Sequence, residues 1–204
     1  LGVSKGDTLM VHASLRSIGE TELRAEGVIE ALERAVGEQG TLMMVLGAEN
    51  PFAWVDELDE SERPARLEGS PPFDALQTPA DPDVGVLAEV FRRRPKTVVS
   101  NHPEGRFAAI GDKAAELVAD PPWDDYFGPR SPLEKLVKAD GNVLRPGAHP
   151  DTVTLLHYAE YRAEVPNKRR VRRFRLISTQ AGPKVRVVES VDDSNGIVDH
   201  PGED

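Results

Sequence analysis

Two unbroken apolar runs stand near the start of this chain. "TLMVH" (residues 8–12) and "GTLMMVLG" (40–47) lie between turn residues, as strands buried on both faces do. Between them, "AEGVIEALERAVG" (25–37) puts Val28, Ile29, Leu32 and Val36 at helical spacing and stops at Gly37. Strand, helix and strand in this order predict a βαβ unit with parallel strands. Further on, "DVGVLAEVFRRRP" (83–95) predicts an amphipathic helix ended by Pro95. "KTVVSNHP" (96–103) reads as a short strand entering a loop, and "RFAAIGDKAAELVAD" (106–120) as strand, turn and helix. "SPLEKLVKAD" (131–140) predicts a short helix with Ser131 as N-cap and Pro132 at its first position. "GNVLRPGAH" (141–149) reads as a strand. "DTVTLLHYAEYRAEV" (151–165) predicts a helix capped by Asp151 and stopped before Pro166. "RRFRLIS" and "KVRVVESV", joined by "TQAGP", predict a hairpin.

The sum is one α/β domain over residues 1–204, with a mixed central sheet, flanking helices and a late antiparallel hairpin. Residues 48–82, rich in proline and acid, are expected to form a long, partly ordered insertion. The chain begins at Leu1 and ends in the polar "DDSNGIVDHPGED", and both termini are expected to continue.

Composition narrows the function. No apolar run nears the roughly 18 residues of a membrane span, so no membrane is expected. There is no cysteine, which excludes disulfides, thiolate metal sites and a cysteine nucleophile, and fits a cytoplasmic protein. The net charge of -10 argues against nucleic acid as a partner. Charge is segregated: residues 49–74 hold eight acids against two arginines, while "KRRVRRFR" (168–175) holds six bases. Each run is either a solvated face or a surface for an ion of opposite sign.

Candidate chemistry centres on "DTVTLLHYAE" (151–160). In a helix, positions i and i+3 share a face with Cβ atoms about 5–6 Å apart. His157 and Glu160 therefore project together, and a carboxylate holding one ring N–H leaves the other nitrogen as a base. A surface His–Glu pair has the same spacing. No second histidine completes a zinc-protease helix, and no metal is expected. There is no G-x-S-x-G elbow and no Gly-rich phosphate cradle. "HASLRS" (12–17) has hydroxyls, amides and Arg16 at a strand-to-helix turn, where an anion can be held.

Several phrases occur together and in order: "GDTLMVHASLRSIG", "GTLMM", "FDALQTPADPDVGVLAEVFRRRP", "SNHPEGRFAAIG", "WDDYFGPRSPLEKLV", "GAHPDTVTLLHYAE" and "PNKRRV". In this the chain resembles the aminoglycoside 3-N-acetyltransferases, an antibiotic acetyltransferase family distinct from the GNAT acetyltransferases. The resemblance implies an antibiotic acetyltransferase-like fold, acetyl-CoA as donor, and a deoxystreptamine antibiotic acetylated at its 3-amino group, conferring resistance. It also implies that His157 is the catalytic base, with Glu160 beside it. Donor contacts then fall on Ser14, Leu15, Arg16, Ser100, Asn101, His102 and Phe107. Acceptor contacts fall on Glu49, Asp56, Asp74, Asp151, Glu160, Asp192 and Asp193, with Asp151 read first as a helix cap. A monomer or homodimer is expected. Two rivals stay open: a CoA-dependent acyltransferase for another amine, and an inactive ligand-binding relative. The chain departs from the family pattern at Arg106, where serine is usual, and at Arg145, Pro146 and His149. Arg145 on a buried strand would be costly unless paired.

Overall fold

A computed structural model describes residues 2–19 and 24–193. The first apolar run forms β1 (Thr8–Val11), followed by the single turn α1 (Leu15–Ile18) and the long helix α2 (Arg24–Val36). The second run is β2 (Thr41–Val45), parallel to β1 with Thr8 opposite Thr41. Residues 48–82 hold a 3-10 turn (Ala53–Glu57) and the one-turn helix α3 (Arg63–Arg66), then enter a second 3-10 turn (Pro82–Val84). Next come α4 (Val86–Arg93), β3 (Val98–Val99), β4 (Phe107–Gly111) and α5 (Ala114–Val118). The chain continues through α6 (Pro132–Lys138), β5 (Asn142–Leu144) and α7 (Leu155–Arg162). It closes on the hairpin of β6 (Arg170–Ile177) and β7 (Lys184–Val191).

The central sheet has the order β3-β4-β2-β1-β5. β1 pairs in parallel with β2 and β5, whereas β4 runs antiparallel to both β2 and β3, so the sheet is mixed. The hairpin contributes nothing to this sheet and forms a separate two-stranded one. Alternate side chains of a strand leave opposite faces. Leu9, Val11, Leu42 and Met44 thus enter a core with Ile29 of α2 and Phe91 of α4. Met10 and Met43 enter a second core with Leu117 of α5 and with Leu133 and Leu136 of α6. Both faces are covered, which is why neither apolar run alternates with polar residues. Where β4 ends against β2, a Cβ on Gly111 would lie 2.1 Å from the Gly40 carbonyl oxygen, and φ is +121°, so glycine is required.

The cap at α6 forms as expected: Ser131 Oγ accepts from the Glu134 amide at 3.2 Å, with Pro132 at the first position. Two other expectations fail. Asp151 does not cap α7; it sits in a 3-10 turn (Pro150–Thr152) capped by His149. Val153, at ψ 89°, breaks the chain direction before α7 starts at Leu155. β5 ends at Leu144, so Arg145 is exposed, and its guanidinium donates to the Ala148 carbonyl at 3.2 Å.

The acidic insertion is better ordered than its composition suggests. Val55 and Leu67 pack on Phe174 of β6 as a small third core. Phe73 bridges Ile177 in parallel: its amide donates to the Leu176 carbonyl (2.7 Å), and its carbonyl accepts from Ser178 (2.8 Å). The two charged runs meet here. Asp56 takes Arg175 at 2.6 Å, Glu60 takes Arg172, and Glu104 pairs with Arg175. Among the described residues the five arginines of the basic run are all paired within the fold, but of the eight acids of residues 49–74 only Asp56 and Glu60 are in ion pairs. No helix among the described residues is long and apolar enough to cross a membrane.

Candidate active site

α7 carries His157 and Glu160 on one face, and His157 Nδ1 lies 2.8 Å from Glu160 Oε2. Both side chains are about one third exposed. An ionised carboxylate only accepts, so in the neutral tautomer that fits this contact the proton is on Nδ1 and Nε2 carries a lone pair. Nε2 makes no hydrogen bond with any described residue. Phe127 stacks on the imidazole, with ring centroids 5.2 Å apart and planes within 6°. Phe127 is itself wedged edge-on against Tyr126 (4.6 Å) and Phe107 (5.9 Å). At Gly128 a Cβ would stand 2.7 Å from the Tyr161 ring, so the glycine lets this loop close on α7. Tyr158 donates to Glu134 at 3.1 Å, and Tyr161 accepts from the Val191 amide at 3.1 Å, tying α7 to α6 and β7. The imidazole is thus fixed by a carboxylate at one edge and a phenyl ring on one face.

A groove of about 860 Å³ opens at the carboxyl ends of β1 and β2. Open α/β sheets take ligands at such strand ends. His12, Ser14, Leu15 and Arg16 form one wall; Val86, Gly147 and Thr154 stand among the others. Ser14 caps α1, its Oγ accepting from the Ser17 amide. Thr154 accepts the His157 amide at 3.1 Å, so the groove and His157 are one helical turn apart. His12 is buried, with Nε2 unpartnered among the described residues. Burial, then Arg145, lowers its pKa to about 4, keeping the ring neutral at physiological pH.

The other expected donor contacts lie outside this groove. The Phe107 amide donates to Ser100 Oγ at 2.8 Å, and the Phe107 ring is fully inside the second core. His102 is fully buried: Nε2 donates to the Trp123 carbonyl (2.8 Å), and Nδ1 accepts from the Gly105 (2.8 Å) and Glu104 (3.1 Å) amides. These three side chains are engaged within the fold, whereas Asn101 is exposed.

Burial lowers the His102 pKa from 6.5 to about 4. Above pH 6.5 neither native nor unfolded protein binds this proton. Between about 6.5 and 4 only the unfolded chain binds it, so stability falls as pH falls. The His102 share at pH 5 is expected to be a loss of about 2 kcal/mol. Urea unfolding at pH 7.5 and 5.0 measures it, and His102→Gln should flatten the slope.

The acidic residues divide. Glu49 and Asp74 line a separate cavity of about 400 Å³ with Phe52, Phe73, Gln77 and Arg175. Asp56 accepts from the Phe174 amide (3.1 Å) and from Arg175 (2.6 Å). Asp192 pairs with Arg169 at 2.9 Å, while Asp193 accepts from the Tyr126 hydroxyl (2.7 Å) and Arg173 (2.8 Å). Asp151 is exposed, 3.0 Å from His149 Nδ1.

Residues 10–200 match the family model described as aminoglycoside 3-N-acetyltransferase. The chain belongs to this family. Aminoglycoside N(3)-acetyltransferase VII of Streptomyces paromomycinus is 40% identical over 202 residues, covering 98% of this chain and 70% of the relative. Among solved structures, AAC-IIIb as a binary complex with CoASH superposes with TM-score 0.92 at 39% identity, over 97% of this chain and 74% of that one. AAC-VIa bound to sisomicin reaches 0.90 at 36% identity, over 97% and 74%. The mixed sheet, its helices and the late hairpin are therefore an aminoglycoside 3-N-acetyltransferase fold. Two residues of the site escaped sequence reasoning within this family. Phe127 sat unremarked in an aromatic, proline-rich loop whose density of rings was the available signal. His12 read as a strand end, and only the turn after it marked a ligand edge.

Proposed function

We propose that this protein transfers acetyl from acetyl-CoA to the 3-amino group of a deoxystreptamine aminoglycoside, by direct transfer with His157 as general base. The observation that carries the reading is the His157–Glu160 pair, with Nε2 left to accept, one helical turn from the groove at the ends of β1 and β2. The groove's volume is within the range of ligand sites. Its apolar wall of Leu15, Val84 and Val86 suits a pantetheine arm, and Arg16 at its edge suits phosphate. The CoASH-bound relative supports the donor, and the sisomicin-bound relative supports the acceptor.

In this reaction the amine nitrogen bonds to the thioester carbonyl carbon, and the C–S bond breaks. His157 Nε2 takes the proton that the amine loses, and the thiolate leaves and is protonated. The tetrahedral oxyanion between these events needs aimed donors. Such an enzyme would act in the cytoplasm, where acetyl-CoA is available, and confer resistance.

One observation favours a second acceptor class. Asp56, Asp192 and Asp193 already hold arginines, which leaves less free negative charge for a polycation. A less cationic amine is the alternative. Thiol release from acetyl-CoA by purified protein, measured over a panel of amines, tests both. Release dependent on gentamicin-like compounds supports the first reading; release only with other amines supports the second; none with any amine overturns both.

A further inference from the structure

Arg106 is a charged side chain with no exposure at all, standing just before β4. Its guanidinium makes no hydrogen bond to any carboxylate among the described residues. It donates instead to backbone carbonyls: Pro79 at 2.7 Å, Thr78 at 2.8 Å and Ala75 at 3.4 Å. It also lies over the Phe73 ring, 5.6 Å from the centroid. Burial lowers its pKa only to about 10, so the group is charged at neutral pH. A planar fork can gather several carbonyls at once; an ammonium is a point charge and cannot match it.

Residues 73–80 are gripped from a second side. Glu89 accepts from the Ala80 amide at 2.8 Å and holds Arg92, which donates to the Leu76 carbonyl. Within the loop, Asp74 Oδ1 accepts the amides of Leu76 and Gln77. The Pro79 carbonyl that Arg106 holds also takes the Glu49 amide at 3.1 Å. Asp74, Gln77, Thr78, Pro79 and Glu49 all line the 400 Å³ cavity. One buried cation therefore sits behind the wall to which Glu49 and Asp74 belong.

We propose that Arg106 is a positioning residue for the amine acceptor: it locks loop 73–80 and so fixes where Asp74 and Glu49 meet the acceptor in this cavity. This rests on the acetyl-transfer reading for the reaction and on the acceptor contacts that the resemblance implies at Glu49 and Asp74, and it adds the group that shapes them. A residue in this role alters acceptor binding while leaving donor binding and the chemical step intact. A merely structural one lowers stability and activity for both substrates.

The test is steady-state kinetics of wild type, Arg106→Lys, Asp74→Asn and the double variant, varying gentamicin and acetyl-CoA separately. Arg106→Lys is expected to raise the acceptor KM about ten-fold, with kcat and the acetyl-CoA KM within two-fold. The double variant is expected to be no worse than the weaker single, because both act through one wall. An unchanged acceptor KM, a fall confined to kcat, or fully additive effects would overturn the proposal. Should wild type transfer no acetyl, the reaction assignment fails, and the lock is read by hydrogen exchange. Amides of Leu76 and Gln77 should exchange at least ten-fold faster in Arg106→Lys; equal rates overturn the lock itself.

Discussion

His157→Ala is expected to lower kcat by about 10²–10⁴-fold, the usual contribution of a placed general base. The KM for acetyl-CoA should stay within about two-fold, because His157 is one turn away from the groove wall rather than in it. The fold should survive, since the ring is about one third exposed and, among the described residues, only Glu160 bonds to its Nδ1. Glu160→Gln is expected to fall between wild type and His157→Ala. An amide can donate to Nδ1 as well as accept from it, and donation moves the ring proton to Nε2, where it blocks the base. Phe127 beneath the ring limits its rotation, so the Nε2 direction depends on the stack as well as on the carboxylate. Added imidazole should restore part of the lost rate in His157→Ala by entering the space above Phe127. A variant whose kcat stays within three-fold of wild type would remove His157 from the chemistry.

The architecture was legible where one local cause decides it. Two apolar runs without alternation predicted β1 and β2 as doubly covered parallel strands, and that pairing is present. Ser131 and Pro132 announced the start of α6, because a cap is a property of a few consecutive residues. The His157–Glu160 contact was legible for the same reason: helical spacing alone brings i and i+3 together. Reading failed where distant segments decide. Asp151 has the right chemistry for a cap, yet His149 and Pro150 take the turn first. The burial of Ser100, His102 and Phe107, which are donor contacts by resemblance, was not legible either, because burial belongs to the whole fold and a partner such as Trp123 reaches His102 from twenty-one residues away. The two charged runs were the sharpest case. They lie about a hundred residues apart in sequence, and nothing local says that Asp56 and Glu60 face Arg175 and Arg172.

That meeting of charges leads to a second large effect. Arg175→Met is expected to lower the unfolding free energy by about 3 kcal/mol, toward the lower end for breaking a buried ion pair. Arg175 is 11% exposed, against 21% for Asp56 and 15% for Glu104, so little water is available to replace the lost partner. Glu104 keeps Arg173 at 3.7 Å, which softens its loss. Among the described residues Asp56 keeps only the Phe174 amide and becomes the uncompensated charge. Adding Asp56→Asn to Arg175→Met should therefore recover much of the loss, since an amide needs no counterion. Urea unfolding of the single and double variants measures both terms. A loss under about 1 kcal/mol, the worth of an exposed pair, would mean that the network is screened by solvent and does not hold the hairpin to the insertion. The same arginine lines the cavity with Glu49 and Asp74. The insertion can present carboxylates to an amine only while other acids of the same run remain committed to β6, so loosening Arg175 should weaken acceptor binding even where the protein stays folded.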